Sequence, residues 1–317
     1  MKCIPKLIRI EPAFTDRQQI RAMFEQNAPY RALATYAPDG LPDETREEAR
    51  RPILPWFRGD WALAGEPLVE NAHLILHNQR FLDAAKAAFS AFHVDPEFVA
   101  VNVNGPSPAG RIHLDTPSFH GATRVEYPLP FLRVMGTSDL FEAWRVVRAS
   151  TLSWFYNGSG GNFDYWPEGI DGRMWSEPSP FGNVALCADT DRIYHRIGPI
   201  GEGNVELPQM SAAAEIRPDG AGSWIVLENG EVRASYPSDS IRFSVLWKAE
   251  IRNSDSKPVD LTLDRIMEIF TSDLRHRKVD FEVPSDPTTN TDWVLLLQRI
   301  YARQTADGDR QTEFAIH

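Results

Sequence analysis

The chain has 317 residues, of which 42% are hydrophobic and 24 are prolines, and this length and composition suit one large domain with a sizeable core. Its net charge of −11 argues against a polyanionic partner, because nucleic-acid binding requires a basic face. Two cysteines are too few for a disulfide framework, and no apolar run reaches the roughly 18–20 residues of a membrane span. We therefore expect a cytoplasmic protein with neither a nucleic-acid nor a membrane partner.

The first part of the chain, residues 1–95, is predicted to form a helical layer. A capping box begins at Thr15 and precedes a short run at helical spacing, and apolar residues recur every three to four positions between residues 68 and 92. A Pro-Asp-Gly turn is expected at 37–40, and the charged segment 43–51 is expected to be solvated.

From Pro96 onward the pattern becomes that of short strands. Alternation and β-branched residues predict strands at 98–104 and 111–116, joined by a tight Gly- and Pro-containing connection. A Gly-rich turn at 157–162 is expected beside the rim of a pocket. Further segments of regular structure are predicted as strands at 131–135, 150–156 and 183–188, and as a short helix at 137–147.

The second half of the chain adds a hairpin and a long strand. The Asn229-Gly230 pair predicts a turn between strands at 223–227 and 231–236. The alternation over 240–251 places two sets of residues on opposite faces of one strand. These sets are Ile241, Phe243, Val245 and Trp247 on one face, and Arg242, Ser244, Leu246 and Lys248 on the other.

The helical pattern returns after Pro258, with helices expected at 261–273 and 292–301 and a loose tail from Thr305. This order suggests a β-sandwich or jelly roll with helical layers. We therefore predict one domain that spans 1–317. Its parts are the helical N-terminal layer 1–95, a core at 96–252 with an insertion at about 200–238, and the C-terminal helices 258–317.

Two short segments carry candidate metal ligands. Residues i and i+2 of a strand point to the same side, so His113 and Asp115 would reach one ion together. His195, which precedes Gly198 and Pro199, would add a third ligand from a distant segment. Two histidines and one carboxylate form the facial triad of non-haem Fe(II) oxygenases, which leaves coordination positions open. Taken alone, the His-x-Asp spacing also fits a structural histidine beside a surface aspartate.

Arg242 and Ser244 share a strand face by the same rule. An arginine fork beside a hydroxyl group is suited to binding a carboxylate. Nearby aromatic residues would form either a water-poor pocket or ordinary core. They are Trp154, Tyr156, Phe163, Tyr165, Trp166 and Trp175.

With these motifs, the sequence resembles the 2-oxoglutarate/Fe(II)-dependent dioxygenases, a double-stranded β-helix superfamily that includes the phytanoyl-CoA hydroxylase-like enzymes. His113-Leu114-Asp115 is similar to its HxD motif, residues 182–196 are similar to its distal-histidine strand, and Arg242-Phe243-Ser244 is similar to its RxS motif. The resemblance covers residues 98–250. It implies a mainly β fold with flanking helices around a double-stranded β-helix (jelly roll, cupin-like) core.

The resemblance also implies an activity. We expect an Fe(II)- and 2-oxoglutarate-dependent dioxygenase that uses O2 to hydroxylate or desaturate an unactivated C–H bond of a small-molecule substrate, with 2-oxoglutarate decarboxylated to succinate. Relatives that halogenate carry a small residue in place of the aspartate, so Asp115 favours hydroxylation or desaturation. The implied site residues are His113, Asp115 and His195 for iron and Arg242, Ser244 and Tyr156 for 2-oxoglutarate.

The position of the co-substrate arginine departs from the pattern of the family. Arg242 lies 47 residues after His195 (242 − 195), whereas the family arginine usually follows at a shorter distance. The insertion at about 200–238 would account for the difference. Arg196 and Arg217 are the rival candidates. Arg196 adjoins a ligand but would face away from it on a strand, and Arg217 precedes Pro-Asp-Gly and resembles the entry to a turn, so Arg242 is preferred to both.

Two other functions stay open at the level of sequence. One is a cupin-like, metal-containing binding protein without oxygenase activity. The other is a zinc hydrolase with the same three ligands, which lacks an evident general base.

Overall fold

The computed structural model describes residues 6–36, 52–202, 205–253, 259–301 and 314–315. The predicted turn at 37–40, the charged segment 43–51 and most of the tail from Thr305 lie outside these ranges. The helices are α1 (Arg17–Gln26), α2 (His73–Leu76), α3 (Gln79–Phe89), α4 (Leu129–Ser138), α5 (Leu263–His276) and α6 (Thr291–Tyr301). The strands are β1 (Ile8–Ile10), β2 (Tyr30–Ala32), β3 (Trp56–Leu63), β4 (Glu66–Pro67), β5 (His93–Asn104), β6 (Leu114–Asp115), β7 (Arg148–Phe155), β8 (Phe163–Trp166), β9 (Trp175–Glu177), β10 (Ala185–Ala188), β11 (Tyr194–Ile197), β12 (Glu215–Pro218), β13 (Ser223–Glu228), β14 (Glu231–Pro237), β15 (Arg242–Arg252) and β16 (Phe314–Ala315).

Two antiparallel sheets form the centre of the molecule. The larger runs in the order β1-β10-β7-β15-β5-β3-β2-β12-β13-β14, with β4 beside β3, and the smaller pairs β11, β8 and β9. β6 joins the smaller sheet through a bridge between His113 and His195. From β5 the chain alternates between two layers. β5, β7, β10 and β15 belong to the larger sheet, β8, β9 and β11 belong to the smaller, and β6, which pairs with β16, is linked to the smaller by the bridge at His113. This is the connectivity of a double-stranded β-helix, and the predicted fold class is confirmed.

The larger sheet has an apolar outer face covered by helices. Trp247 of β15 lies 5.8 Å from Phe81 of α3, and Phe243 lies 4.9 Å from Phe24 of α1, measured between ring centroids. All four side chains are buried in the main hydrophobic cluster, where each contributes about 1.5–3 kcal/mol relative to an exposed position. The prediction that alternate residues of β15 face opposite layers is therefore confirmed.

The inner face of the larger sheet looks toward the smaller sheet and carries most of the polar side chains of the site. Strand register aligns these residues in four rows that cross β3, β5, β15, β7 and β10. From one end to the other the rows are Trp56, Asn104 and Arg242; Arg58, Asn102, Ser244 and Trp154; Asp60, Ala100, Leu246, Leu152 and Leu186; and Phe98, Lys248, Ser150 and Ala188.

The segment between β11 and β15 extends the edge of the larger sheet. β12 pairs with β2, and β13 and β14 follow as an antiparallel hairpin. Its turn is the predicted one, with Asn229 at φ 54° and Gly230 at φ 81°, the left-handed values that favour Asn-Gly in a tight hairpin. The chain thus leaves the double-stranded β-helix after His195 and returns to it at Arg242.

A second hydrophobic cluster lies among α4, α5 and α6, around side chains such as Phe131, Phe270 and Leu297. The strand predicted at 131–135 is wrong, since this run belongs to α4, which follows Pro128 and has Pro130 in its first turn. A short apolar run does not distinguish a strand from a helix that is buried on most sides. None of the helices in the described ranges is long and apolar enough to span a membrane.

The helix predicted at 137–147 is also wrong. α4 ends at Ser138 because Asp139 takes a left-handed φ of 59°. After it only Glu142–Trp144 forms a 3₁₀ turn. At the N-terminus, α1 is capped by Asp16 rather than by Thr15, and the Asp16 side chain accepts a hydrogen bond from the Gln19 N–H.

Candidate functional site

The three predicted metal ligands come together where β6 and β11 lie side by side. His113 and His195 exchange both backbone hydrogen bonds, with N···O distances of 3.0 and 2.9 Å. The Asp115 N–H donates to the Thr190 carbonyl oxygen at 3.0 Å, which fixes the end of β6 against the residues that precede β11. Each of the three side chains offers one ligand atom, and these atoms lie within 4.8 Å of one another. That separation suits a single metal ion.

Backbone carbonyl groups orient both imidazole rings. His113 Nδ1 lies 2.8 Å from the Arg111 carbonyl oxygen, and His195 Nδ1 lies 2.9 Å from the Ile193 carbonyl oxygen. A carbonyl oxygen only accepts, so Nδ1 carries the proton in each ring and Nε2 is the nitrogen presented to a metal. For each histidine the acceptor is the carbonyl oxygen of the residue two positions earlier, because each ring folds back over its own strand.

The Asp115 carboxylate is held by two donors on one of its oxygens. Lys248 Nζ lies 2.6 Å from Asp115 Oδ2, and the Thr190 hydroxyl lies 2.5 Å from the same atom. Asp115 Oδ1 faces the triad, 3.5 Å from His195 Nε2. The Thr190 hydroxyl also lies 2.6 Å from Ser150 Oγ, on the row that carries Lys248.

Buried charges surround this carboxylate. Burial raises the pKa of Asp191, and the neighbouring Asp115 adds to the rise while Lys248, 3.5 Å away, opposes it. Burial acts to lower the pKa of Lys248, but the carboxylates of Asp115 and Asp191 outweigh it and the net pKa is raised. Burial and the charge of Asp191 raise the pKa of Asp189 to about 7. Lys248 is therefore a cation with two acidic neighbours in the interior.

Arg242 lies on the same inner face at the other end of β15. It is 1% exposed, and its Nε donates to the Gly161 carbonyl oxygen at 2.6 Å. Among the described residues, its Nη2 has no hydrogen-bond partner. Its guanidinium stacks 5.6 Å from the ring of Phe181. Burial lowers the pKa of Arg242 to about 9, and a buried cation with an open N–H favours an anionic ligand.

The two other predicted co-substrate residues lie near this arginine. Ser244, 4% exposed, accepts a hydrogen bond from Asn102 Nδ2 at 3.3 Å, which leaves its own proton to be donated. The Tyr156 hydroxyl donates to the Ser159 carbonyl oxygen at 2.9 Å. In this arrangement Tyr156 holds the loop that contacts Arg242, and its contact with a co-substrate stays a prediction.

The rival arginines are placed differently. Arg196 makes an ion pair with Asp164 at 3.1 Å and is next to His195, so it points to the opposite side of β11. Arg217 is exposed on β12, at the edge of the larger sheet. Neither lies on the inner face with Lys248, and of the three candidate arginines it is Arg242 that does.

Most of the aromatic residues proposed as pocket walls form core between the sheets instead. Trp154, Tyr156, Phe163 and Tyr165 are buried in one cluster with residues of both sheets. They connect the two ends of the site, since Phe163 lies 5.5 Å from the His195 ring and Trp154 lies 5.0 Å from the Phe181 ring. Trp175 is exposed on the edge strand β9.

Sequence reasoning missed Lys248 and Thr190. The signal for Lys248 was present, because it falls on the same predicted face as Arg242, and a lysine in a buried strand is rare unless it is paired. Thr190 gave no signal, since its role depends on the backbone bond that brings it to Asp115.

Neither a protein-family model nor a curated protein matches the chain. Similar solved structures include an oxidoreductase of the 2OG-Fe(II) oxygenase family from Burkholderia pseudomallei, with a TM-score of 0.36 and 14% identity over 80% of this chain and 88% of that one. A prolyl-4-hydroxylase from Pseudomonas putida has a TM-score of 0.37 and 12% identity over 78% of this chain and 94% of that one. HygX from Streptomyces hygroscopicus, solved with nickel, 2-oxoglutarate and hygromycin B bound, has a TM-score of 0.40 and 8% identity over 82% of this chain and 90% of that one. The chain is thus loosely similar to 2OG-Fe(II) oxygenases, and a likeness at this level does not extend to substrate or reaction.

Proposed function

We propose that this protein is a non-haem Fe(II)/2-oxoglutarate-dependent dioxygenase that hydroxylates or desaturates a C–H bond of a small-molecule substrate. The observation that carries the proposal is the pairing of two features inside one double-stranded β-helix. A His-Asp-His group contacts Lys248 at one end of the inner face of β15, and a buried arginine with an open N–H lies farther along the same strand face.

The donor set fits Fe(II). His113 and His195 turn their Nε2 atoms to the site because their Nδ1 protons are donated to carbonyl oxygens, and Asp115 supplies a carboxylate oxygen. This set of two imidazoles and one carboxylate is the one that non-haem iron oxygenases use, with open positions for further ligands. Bound there, the iron supplies the oxidising chemistry that O2 and 2-oxoglutarate together provide, with succinate and CO2 as the co-substrate products.

The other end of the site fits the far carboxylate of 2-oxoglutarate. Arg242 Nη2 and the Ser244 hydroxyl are both donors on the inner face. The two residues are separated by two positions along β15 and therefore lie on the same side of the strand. Each donor in a charge-assisted hydrogen bond of this kind contributes about 1.5–3 kcal/mol. The carboxylate in turn gives the buried guanidinium the anionic partner that it lacks within the described part of the chain.

The site lies in the interior of the protein, where its residues are shielded from water. Arg242 is 1% exposed, Asp115 is 1% exposed and His195 is 4% exposed, so their interactions act in a region with little water, where electrostatic contacts are strong. We infer that these residues orient the co-substrate before the substrate arrives. The substrate itself is expected to be a small molecule.

The test is turnover of the co-substrate. The purified protein is incubated in air with Fe(II) and 2-oxoglutarate, and succinate is measured with and without a panel of small molecules. We expect slow succinate formation that an accepted substrate accelerates, and none when Zn(II) replaces Fe(II). If metal binds but succinate never exceeds the Zn(II) control, the site belongs to a metal-containing binding protein. Activity with Zn(II) on an ester or amide would identify a hydrolase instead.

A further inference from the structure

Asp115 is unusual among the site residues because its two carboxylate oxygens have different surroundings. Oδ2 receives hydrogen bonds from Lys248 Nζ at 2.6 Å and from the Thr190 hydroxyl at 2.5 Å. Oδ1 lies on the side of His195, 3.5 Å from its Nε2. The carboxylate is therefore held with one oxygen toward the triad and the other toward the larger sheet.

The placement of Lys248 shows that this contact is built into the fold. Its side chain is 8% exposed and extends from the inner face of β15, where the strands on both sides fix its backbone in register with Ser150 and Phe98. Removal of an ammonium group from water is unfavourable unless partners compensate. Asp115 is the nearer partner, and Asp191 Oδ1 is 3.5 Å away.

We propose that Lys248, assisted by Thr190, is a positioning residue that makes Asp115 a ligand through Oδ1 alone. The inference rests on the proposed function, because it concerns the metal that the triad would hold. With both donors on Oδ2, that oxygen has its acceptor capacity engaged, whereas Oδ1 lies beside His195 Nε2.

Ligation through one oxygen of Asp115 would determine how many coordination positions of the metal stay open. Three single-atom ligands on one face leave three positions of a six-coordinate ion. If Fe(II) were held there, a chelating 2-oxoglutarate would use two of them and O2 would need the third. An aspartate bound through both oxygens would remove one, so Lys248 and Thr190 protect the capacity of the site to hold both co-substrates.

The decisive experiment is a crystal structure of the full chain loaded with Mn(II) alone, which replaces Fe(II) without reacting with O2. We expect one oxygen of Asp115 at the metal and the other still bonded to Lys248. Metal contact through Oδ2, or through both oxygens, would overturn the proposal. This measurement needs no 2-oxoglutarate, so it decides the inference even if the proposed activity fails.

Variants test the cause. Lys248→Met and Thr190→Val each remove one hydrogen-bond donor to Asp115. Valine is nearly isosteric with threonine, so Thr190→Val still tests the proposal if Lys248→Met does not fold. We expect two-oxygen or rotated ligation in the Mn(II)-loaded variants, together with at least tenfold weaker binding of 2-oxoglutarate, a change of about 1.4 kcal/mol. Arg148→Met is the matched control, because Arg148 is a nearby cation paired with Glu97 that makes no contact with Asp115 among those described. Unchanged single-oxygen ligation and unchanged 2-oxoglutarate affinity in Lys248→Met would refute the role of the lysine.

Discussion

Arg242 and Lys248 extend from the same inner face of β15, six residues apart, and mark the two ends of the site. At about 3.3 Å per residue their Cα atoms are separated by roughly 20 Å, and both side chains are long. Lys248 contacts the candidate metal ligand Asp115, while Arg242 has an open N–H. Under the proposed function, this one strand would set the distance between the metal and the co-substrate carboxylate, and the following predictions test its two ends separately.

Removal of the distal histidine should abolish metal binding and preserve the fold. His195→Ala deletes one of three ligands, and we expect Mn(II) affinity to fall by more than the roughly 10–100-fold that loss of an outer-shell partner costs. His120→Ala is the control, since His120 lies outside the triad on a loop. Titration of Mn(II) by its electron paramagnetic resonance signal measures both. Equal affinity in the two variants would show that the metal binds elsewhere.

Replacement of Arg242 should affect 2-oxoglutarate and not the metal. Arg242→Met removes the buried guanidinium but fills its space, and we expect the 2-oxoglutarate requirement to rise about 10- to 100-fold, as for loss of a charge-assisted hydrogen bond. Arg196→Met, at the rival position paired with Asp164, should leave it unchanged. Succinate formation at varied 2-oxoglutarate measures this. If Arg196 and not Arg242 governs the requirement, the proposed orientation of the co-substrate is wrong.

Gly161 should tolerate no side chain, because of its contact with Arg242. Its φ is +68°, and a Cβ atom would lie 3.0 Å from Arg242 Cδ and 3.0 Å from the Tyr156 ring. Gly161→Ala therefore carries both a backbone cost of about 1–2 kcal/mol and a displacement of the guanidinium. Gly220 (φ +78°) has open space within 4 Å of the point where a Cβ atom would lie, so Gly220→Ala isolates the backbone cost.

The two glycine variants should be alike in losing stability but should differ in their binding of 2-oxoglutarate. We expect both to lose stability in urea denaturation, and only Gly161→Ala to weaken 2-oxoglutarate binding. Weakened binding in both, or in neither, would mean that the Gly161 loop does not position Arg242.

Asp189 should make the protein less stable as the pH rises. In the unfolded chain its pKa is the ordinary 3.8, and in the folded chain burial raises it to about 7. Between these values only the folded form holds the proton, so the penalty for the buried charge grows as the pH rises and is complete above about pH 7. Asp189 and Asp191 titrate as a pair, which broadens the transition.

Asparagine at this position removes the charge. We expect Asp189→Asn to raise the free energy of unfolding, relative to the unsubstituted protein, more at about pH 8 than at about pH 5.5. Asp83→Asn, on the exposed face of α3, should show the same small change at both. Urea denaturation at the two pH values measures the difference. An effect of Asp189→Asn that does not depend on pH would contradict the raised pKa.

The sequence predicted the site best where side-chain alternation decides position. His113 and Asp115 share a side, and Arg242 shares one with Lys248, because strand period is fixed by the backbone. The identity of the distal ligand, His195, followed from the motif order. The structure brings these residues together, and each of them lies in a segment whose local sequence pattern could be interpreted separately.

What escaped prediction depends on contacts between distant segments. The run at 131–135 is helical because α5 and α6 cover it, and local apolar content does not reveal that. Thr190 reaches Asp115 only through the pairing that places β6 beside the segment before β11. The separation of 47 positions between His195 and Arg242 is explained by the pairing of β12 with β2, which the sequence between them does not reveal.

The most direct test of the central claim is an anaerobic absorption spectrum of the Fe(II)-loaded protein during titration with 2-oxoglutarate. Chelation of the iron by 2-oxoglutarate gives a weak visible charge-transfer band. We predict that the band appears with the unsubstituted protein, is lost in His195→Ala, and requires a higher 2-oxoglutarate concentration in Arg242→Met. Absence of the band from iron-loaded, unsubstituted protein at saturating 2-oxoglutarate would contradict the proposed function.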